Sequence, residues 1–299
     1  MDKKRNYGVI FEDLIQKTQD YIVNNNLKCM VLGISGGIDS TVVAAICHEV
    51  SKRTYIPLYG RSLPTKFNKS EEINSAILVG KSFCDDFEEI PIKSVLDSAS
   101  DLFKNEGMTP LSLGNIQARI RMMYLYHLAS IKGGVVMDTD NLTENNLGYF
   151  TIHGDVGDLN PIGGLWKTEV FKLAEWIHNE YYNKARCLEE GHFYEEVDEI
   201  SLKLKAIEAS LSLMPTAGLG ITNSDLEEIG AESYEQVDDV LKVILAWKMI
   251  TAPQKYSSDN FIMSDFMSEL THIPEEIIKN ISKRHFSSEF KRKKLPIKL

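Results

Sequence analysis

Cysteine is scarce in this chain of 299 residues, and the four present are widely separated. They are Cys29, Cys47, Cys84 and Cys187, and no two of them form a C-x-x-C pair. This spacing argues against a zinc ribbon, an iron–sulfur site and a sulfur-relay motif, and it suits a reducing compartment. We therefore predict a cytoplasmic protein.

Long apolar runs, internal repeats and low-complexity segments are also lacking, and the basic N-terminus is followed by acids where a signal peptide needs apolar residues. We expect no membrane association. The net charge of −10 disfavours a broad nucleic-acid surface. A small anionic substrate would then be bound by isolated Arg and Lys side chains. We predict one compact domain over residues 1–299, without a flexible linker.

What the chain does contain is an alternation of apolar runs and amphipathic stretches. It predicts strands at 29–34, 54–59, 87–92 and 133–139, and helices at 8–26, about 40–52, 68–84, 94–105 and 113–132. Strands that alternate with helices predict an α/β fold: a parallel sheet with helices on both faces and ligands at the carboxyl ends of the strands. Residues 140–166 predict a structured loop over a site, and residues 167–299 a mostly helical portion.

Residues 29–41, CMVLGISGGIDST, predict a buried strand that turns sharply into a helix. The glycines allow close backbone approach to a polyanion, and the helix N-terminus supplies free N–H groups. The lysine of the G-x-x-x-x-G-K-[ST] phosphate loop is missing. The run resembles instead the SGGxDS pyrophosphate loop of the N-type ATP pyrophosphatases, which cleave ATP to AMP and pyrophosphate. The alternative is a Gly-Ser loop that only ends a strand.

Acidic residues follow two of the predicted strands. Asp39 either caps its helix or holds Mg²⁺ against phosphates, and the two roles can coexist. Asp140 and Glu144 lie just beyond the fourth strand and suit a second metal contact; the alternative is a capping Asp and a solvated Glu. Turn chemistry explains the Gly-Asp pairs of GDVGDLNP. It does not explain why aromatic residues, acids and Lys167 concentrate beside a strand end.

Helix 113–132 carries two arginines, Arg119 and Arg121. Because they are two residues apart they face different sides, so at most one easily reaches the site. The other is expected to make a surface or dimer contact. The nearby Met and Tyr residues, 122–126, favour a buried core or a subunit interface.

Taken together, several segments resemble the NAD synthetases, specifically the short ammonia-dependent form, over about residues 30–295. They are LGISGGIDSTVVA, RSLP, NIQARIRMMYLY, DTDNLTE, GYFTIHGD, DLNPIGGLWKTEVFKLA, MPTAGL and YEQVDDVL. The resemblance implies that the carboxylate of deamido-NAD attacks the ATP α-phosphate, and that ammonia then displaces AMP from the acyl-adenylate. It also implies Mg²⁺ and a homodimer. A glutamine-using form would need a glutaminase domain with a Cys nucleophile, so we expect ammonia from solution or from a separate supplier.

The resemblance also implies a role for individual positions. ATP would be bound by Gly33, Ile34, Ser35, Gly36, Gly37, Ile38, Asp39, Ser40, Thr41, Arg61, Thr139, Lys167 and Thr216. Mg²⁺ would be held by Asp39 and Glu144, the catalytic residues would be Asp39 and Lys167, and the acid would be bound by Arg119, Asp158 and Lys291.

There are three departures from the family pattern, and the first two bear on the acid substrate. Ile152 replaces a lysine after GYFT, Phe290-Lys291-Arg292 replaces a His-Lys-Arg motif, and a stretch of about 180–212 has no counterpart. Either His153 or Lys291 compensates, or the site takes another acid, such as nicotinate mononucleotide.

Two rival functions are weaker. A tRNA-modifying adenylating enzyme would be expected to show a basic surface and often paired cysteines. A regulatory nucleotide binder would have little use for two metal carboxylates, Asp39 and Glu144, together with Lys167.

Overall fold

The computed structural model describes residues 5–214 and 224–292. Four parallel strands form one sheet in the order β3-β2-β1-β4. The strands are β1 Met30–Gly33, β2 Leu58–Ser62, β3 Asp86–Glu89 and β4 Val135–Met137. The helices are α1 Tyr7–Asn24, α2 Ile38–Thr54, α3 Ser70–Phe83, α4 Lys93–Phe103, α5 Pro110–Lys132, α6 Leu142–Leu147, α7 Lys167–Glu190, α8 Tyr194–Ser212, α9 Asp225–Ile229, α10 Tyr234–Ile250, α11 Ser258–Ile262 and α12 Glu275–Ser287. Short 3₁₀ turns lie at Pro253–Lys255, Asp265–Leu270 and Glu289–Arg292.

The sheet buries both of its faces, as the sequence predicts. Met30 and Leu32 of β1 point into a core formed with α1, α2 and α7. Val31, between them, belongs to a separate cluster with Leu128 and Ala129 of α5. Side chains alternate between the two faces of a strand, so an all-apolar strand requires helices on both sides. The predicted α/β fold with a parallel sheet is confirmed.

A second core joins the C-terminal helices. Buried residues of α6, α10, α11 and α12 form it, among them Leu147, Ile244 and Ile281. Trp247 lies at its centre, with the rings of Phe261 and Phe286 packed edge-on against it. The helical C-terminal portion is therefore a packed unit with its own apolar interior. Among the described helices, none is both long and apolar enough to cross a bilayer.

Two sequence expectations were wrong in detail. The predicted strand at 54–59 begins only at Leu58, because α2 continues to Thr54 and Tyr55 then takes the left-handed conformation with a φ of 61°. The predicted loop at 140–166 contains a helix, α6. Its start is a capping box, in which Asn141 Oδ1 accepts from the Glu144 N–H at 3.0 Å and Glu144 Oε2 accepts from the Asn141 N–H at 3.2 Å.

The stretch at about 180–212 comprises the second half of α7 and all of α8. Helix α8 packs on α2, α3 and α7. Its residues Ala206 and Ile207 are buried in the first core. The stretch therefore adds to the layer of helices that covers one face of the sheet.

Candidate active site

The loop between β1 and α2 is fixed by a close backbone contact at Gly36. Its φ is +86°, and a Cβ added there would lie 2.4 Å from the carbonyl oxygen of Glu72. Only glycine fits this position, since any side chain would meet main chain. The hydroxyl of Ser75 donates to the Gly36 carbonyl at 2.7 Å. The loop is thus anchored on the first turns of α3.

Helix α2 begins without a side-chain cap. Gly37 is its N-cap residue, and Asp39, in the first turn, does not cap the helix. Ser35 Oγ accepts from the Gly37 N–H at 3.2 Å and lies 3.1 Å from Ser40 Oγ. The first amides of a helix have no acceptor inside it, so the start of α2 presents N–H groups and partial positive charge. Such a helix start favours an anion.

A cavity of about 650 Å³ opens at this loop. Its wall combines the carboxyl ends of β1, β2 and β4 with residues of α5, α6 and α7. Of the residues predicted for the site, those that line the cavity are Gly33, Ile34, Ser35, Gly37, Ile38, Asp39, Ser40, Arg61, Thr139, Glu144, Lys167 and Lys291. A ligand at the carboxyl ends of parallel strands is what this class of fold predicts.

Three charged side chains from separate elements meet in the cavity wall. Lys167, the first residue of α7, donates to Asp39 of α2 and, at 3.0 Å, to Glu144 of α6. The Lys167 side chain is only 2% exposed. A buried ammonium is stable only when it is paired, so these three residues act as one electrostatic unit.

Burial has the largest influence on the pKa values of Lys167, Glu144 and Asp140 in this wall. Burial opposes the charged form of Lys167, but the Asp39 and Glu144 carboxylates raise its pKa well above the usual value, and it stays an ammonium. Burial raises the pKa of the Glu144 carboxyl, while the Lys167 ammonium opposes that rise. Burial and the carboxylates of Asp138 and Glu144 also raise the pKa of Asp140. The corner of the wall formed by Asp39, Asp140 and Glu144, with three carboxyl groups near one ammonium, therefore favours an additional cation.

Asp39 and Glu144 suit Mg²⁺ as such a cation. Both carboxylates bind the same ammonium, so both face one point. Mg²⁺ is commonly bound by one or two carboxylates together with substrate phosphates. Within residues 5–214 and 224–292, no group of three or more His, Cys, Asp or Glu side chains forms a metal site. Two carboxylates fill only part of an octahedral Mg²⁺ shell, so substrate phosphates and water would supply the remaining ligands.

A buried aspartate of α10 braces this unit from behind. Asp238 accepts from the Thr143 hydroxyl at 2.5 Å, and from the Thr168 hydroxyl and N–H at 2.7 and 3.1 Å. Thr143 Oγ1 also accepts from the Lys167 N–H at 2.8 Å. Thr143 precedes Glu144 and Thr168 follows Lys167, so Asp238 fixes the backbone that carries both charged residues.

Replacing Asp238 by alanine is expected to lower the free energy of unfolding by about 3 kcal/mol, because three buried donors lose their acceptor. Urea denaturation measures this change. The matched control is Asp239→Ala, which removes a partly exposed neighbouring carboxylate that pairs with Lys242. That variant should change stability by less than about 0.5 kcal/mol. Equal stability of the two variants would contradict the bracing role.

Other predicted residues lie away from the cavity lining. Gly36 and Thr41 shape the loop, and the Thr41 hydroxyl donates to the Gly37 carbonyl at 2.9 Å. Arg119 is exposed and donates to the Ile152 carbonyl at 3.1 Å. Asp158 accepts from the Tyr126 hydroxyl at 2.8 Å. The remaining prediction, Thr216, lies outside the described residues.

A second cavity, of about 570 Å³, adjoins the first. The two share the lining residues Met122, Tyr126, Phe150, Val156 and Lys291. Ile152 and His153 line the second cavity, so the apolar side chain that departs from the family pattern lies in its wall. Arg119 and Asp158 each hydrogen-bond a residue of this wall, which places them at its edge.

The Lys291 ammonium already has partners. It donates to the carbonyls of Gly148 and Phe150, both at 2.7 Å. These bonds hold the end of the described chain against the segment that follows α6. Phe290, which stands where the family pattern has a histidine, is 55% exposed.

Asn141 is a site residue that the sequence did not reveal. Its Nδ2 donates to Asp39 Oδ1 at 2.8 Å, and its main-chain N–H donates to Glu144 Oε2 at 3.2 Å. It therefore connects the two carboxylates directly. The N-x-x-E capping-box pattern of residues 141–144 was the signal that could have found it.

Comparison with known proteins gives a consistent result. A family model described as NAD synthase matches residues 10–295. The NH₃-dependent NAD⁺ synthetase of Campylobacter jejuni (strain 81-176) is 33% identical over 238 residues, which are 79% of this chain and 82% of that protein. A solved NH₃-dependent NAD synthetase from C. jejuni superposes with a TM-score of 0.67 at 25% identity, covering 99% of this chain and 100% of the other.

A second solved structure is similar in fold. The NMN synthetase from Francisella tularensis superposes with a TM-score of 0.71 over 99% of both chains, at 24% identity. At that identity the likeness concerns the fold alone.

Proposed function

The chain belongs to the NAD synthase family, and from this membership and its site geometry we propose that it makes NAD by ATP-dependent amidation of deamido-NAD with ammonia. It is a ligase that forms C–N bonds. The observation that carries the proposal is the joint placement of the β1–α2 loop and of Asp39, Glu144 and Lys167 in one cavity.

The reaction has two steps. A carboxylate oxygen of the acid bonds to the α-phosphorus of ATP, and the bond from that phosphorus to the bridging oxygen breaks, so pyrophosphate leaves with the electron pair. Ammonia nitrogen then bonds to the acyl carbon, the bond from that carbon to the phosphate oxygen breaks so that AMP leaves with the oxygen and the electron pair, and the nitrogen loses a proton. Adenylation is needed because a carboxylate alone is a poor acyl donor. No side chain is assigned as a base for the first step, since the attacking oxygen is already ionised.

The side chains of the larger cavity suit the ATP half of this reaction. We assign the phosphates to the loop from Ser35 to Thr41 and to the start of α2, where N–H groups converge. Lys167 stabilises charge on the leaving phosphates, and Asp39 and Glu144 hold it in place. Mg²⁺ held by Asp39 and Glu144 would neutralise phosphate charge. We also assign ATP contacts to Arg61 and Thr139, which line the cavity, and to Thr216.

The second cavity suits the part of the acid that extends away from the reacting carboxylate. Arg119, Asp158 and Lys291 stand at its edge or in its wall and are the proposed contacts for that part. Ile152 favours a second candidate acid, nicotinate mononucleotide. An isoleucine cannot pair with a phosphate as a lysine does, and the mononucleotide has one phosphate where the dinucleotide has two.

We also propose that the protein is a cytoplasmic homodimer that takes ammonia from solution or from a separate supplier. Supporting a subunit contact, α5 exposes the apolar side chains of Met123 and Ile131, roughly two helical turns apart and each more than half accessible. Light scattering of the purified protein measures the mass in solution.

The test of this function is a screen of acids with Mg-ATP, with and without ammonium. Pyrophosphate and AMP are expected only when an accepted acid is present, and ammonium should convert the intermediate into amide. Deamido-NAD and nicotinate mononucleotide are compared side by side, and deamido-NAD is expected to react with the higher kcat/KM. Formation of ADP and phosphate would contradict adenylation, and a preference for the mononucleotide would select the second candidate.

A further inference from the structure

Five cationic side chains line the larger cavity within the described part of the chain: Arg61, Arg121, Lys167, Arg284 and Lys291. Three of them, Arg61, Lys167 and Arg284, already form ion pairs with carboxylates. The Lys291 ammonium donates to two main-chain carbonyls. Arg121 resembles Lys291 in having two neutral acceptors, but among the described residues its guanidinium keeps three further N–H donors where the Lys291 ammonium keeps one.

The Arg121 guanidinium uses only two of its N–H groups within the described residues. Nε donates to the Leu63 carbonyl at 3.1 Å and Nη2 to Asn68 Oδ1 at 3.4 Å. Among residues 5–214 and 224–292, no carboxylate oxygen lies within 4.0 Å of it. A guanidinium has five N–H donors and stays protonated in proteins, so three N–H groups lack a direct partner there, and the carboxylates of Asp155 and Glu72 act on its charge only from a longer distance. A cation in such a wall calls for an anion.

Arg121 also lies close to the loop between β1 and α2. Asn68, which accepts from it, donates to Glu72 Oε2 at 3.0 Å. The Glu72 carbonyl is the atom that Gly36 approaches. Arg121 therefore stands on the α3 side of the loop, whereas Lys167 stands on the side of α6 and α7.

Resting on the function proposed above, we propose that Arg121 binds an oxyanion of the reacting pair, either the carboxylate of the acid or the ATP α-phosphate that it attacks. Both groups are anionic and repel each other, so a cation between them lowers the barrier. The planar guanidinium matches carboxylate and phosphate oxygens in pairs. The O–P bond forms and pyrophosphate departs with the electron pair; Arg121 neither gives nor takes a proton.

The test compares Arg121→Gln with Arg186→Gln. Arg186 is an exposed arginine of α7 whose nearest carboxylate is at 3.9 Å, and its variant should keep the wild-type rate. The Arg121 variant is expected to form pyrophosphate roughly 100-fold more slowly. A higher KM for ATP identifies the phosphate as the ligand, a higher KM for the acid identifies the carboxylate, and a fall in kcat alone places the contact in the transition state. A rate within threefold of wild type overturns the proposal.

A second measurement uses the wild-type protein and does not depend on how the variant folds. Phenylglyoxal modifies accessible arginines, and tryptic mapping by mass spectrometry reads Arg121 and Arg186 separately. Mg-ATP or the acid, each added alone, should slow modification of Arg121 at least tenfold and leave Arg186 unaffected. Unchanged modification of Arg121 in both cases overturns the proposal. Wild-type protein that adenylates no acid would instead contradict the proposed function.

Discussion

The variant Asp39→Asn is expected to release pyrophosphate from Mg-ATP roughly 100- to 1000-fold more slowly than the wild type. The substitution removes a negative charge that faces Lys167 and that suits a metal ion. An amide is nearly isosteric with the carboxylate and retains an oxygen that can accept from Asn141. Because Asp39 does not cap α2, the helix start is unaffected. The rate of pyrophosphate release with deamido-NAD measures the effect.

A matched control for this variant is Asp13→Asn on α1. Asp13 makes an exposed pair with Lys17 at 2.7 Å, so the same chemical change there should leave turnover intact. Thermal unfolding of both variants separates loss of function from loss of fold. Turnover of Asp39→Asn within threefold of the wild type would rule out a catalytic role for this carboxylate.

Lys167→Met is expected to remove activity and also to lower the free energy of unfolding by about 3–5 kcal/mol. Methionine fills much of the same volume, but Asp39 and Glu144 then face each other without their shared cation. Millimolar Mg²⁺ should restore part of the lost stability, because it can neutralise the same two carboxylates. Thermal unfolding with and without Mg²⁺ measures both effects, even in the absence of ATP.

The exposed Lys17 supplies the control as Lys17→Met, whose unfolding should respond to Mg²⁺ as the wild type does. Only Lys167→Met should show a larger rise in unfolding temperature with Mg²⁺ than the wild type shows. If that variant unfolds at the wild-type temperature, the ammonium does not hold the two acids together. If it is destabilised but insensitive to Mg²⁺, the carboxylates do not form a metal position.

Local patterns predicted the sheet and the sharp β1–α2 turn. The apolar run of β1, the glycines and the amphipathic start of α2 are adjacent in sequence, so their structure follows from short-range rules. The error at the second strand was also local. The helix α2 continued past the predicted boundary to Thr54, and the sequence around Pro57 read as extended.

The interior of the site was less predictable because its contacts are long-range. Asp238 binds Thr143 across 95 residues, and no pattern in YEQVDDVL indicates that partner. Helical spacing correctly put Arg119 and Arg121 on different sides of α5. Which side faces the cavity depends on how α5 packs against the sheet, and this packing put Arg121 in the larger cavity. Asn141 could have been found from its local capping pattern, whereas the role of Asp238 depends on long-range packing.

The position of Asp238 late in the chain has a consequence for biosynthesis. The ribosome releases Asp39 roughly 200 residues before Asp238, and domains can begin to fold while synthesis continues. The β1–α2 loop and Glu144 are therefore synthesised before the aspartate that fixes the backbone behind Glu144 and Lys167. An unfinished polypeptide therefore lacks the hydrogen bonds that hold Glu144 and Lys167 in the arrangement of the finished chain.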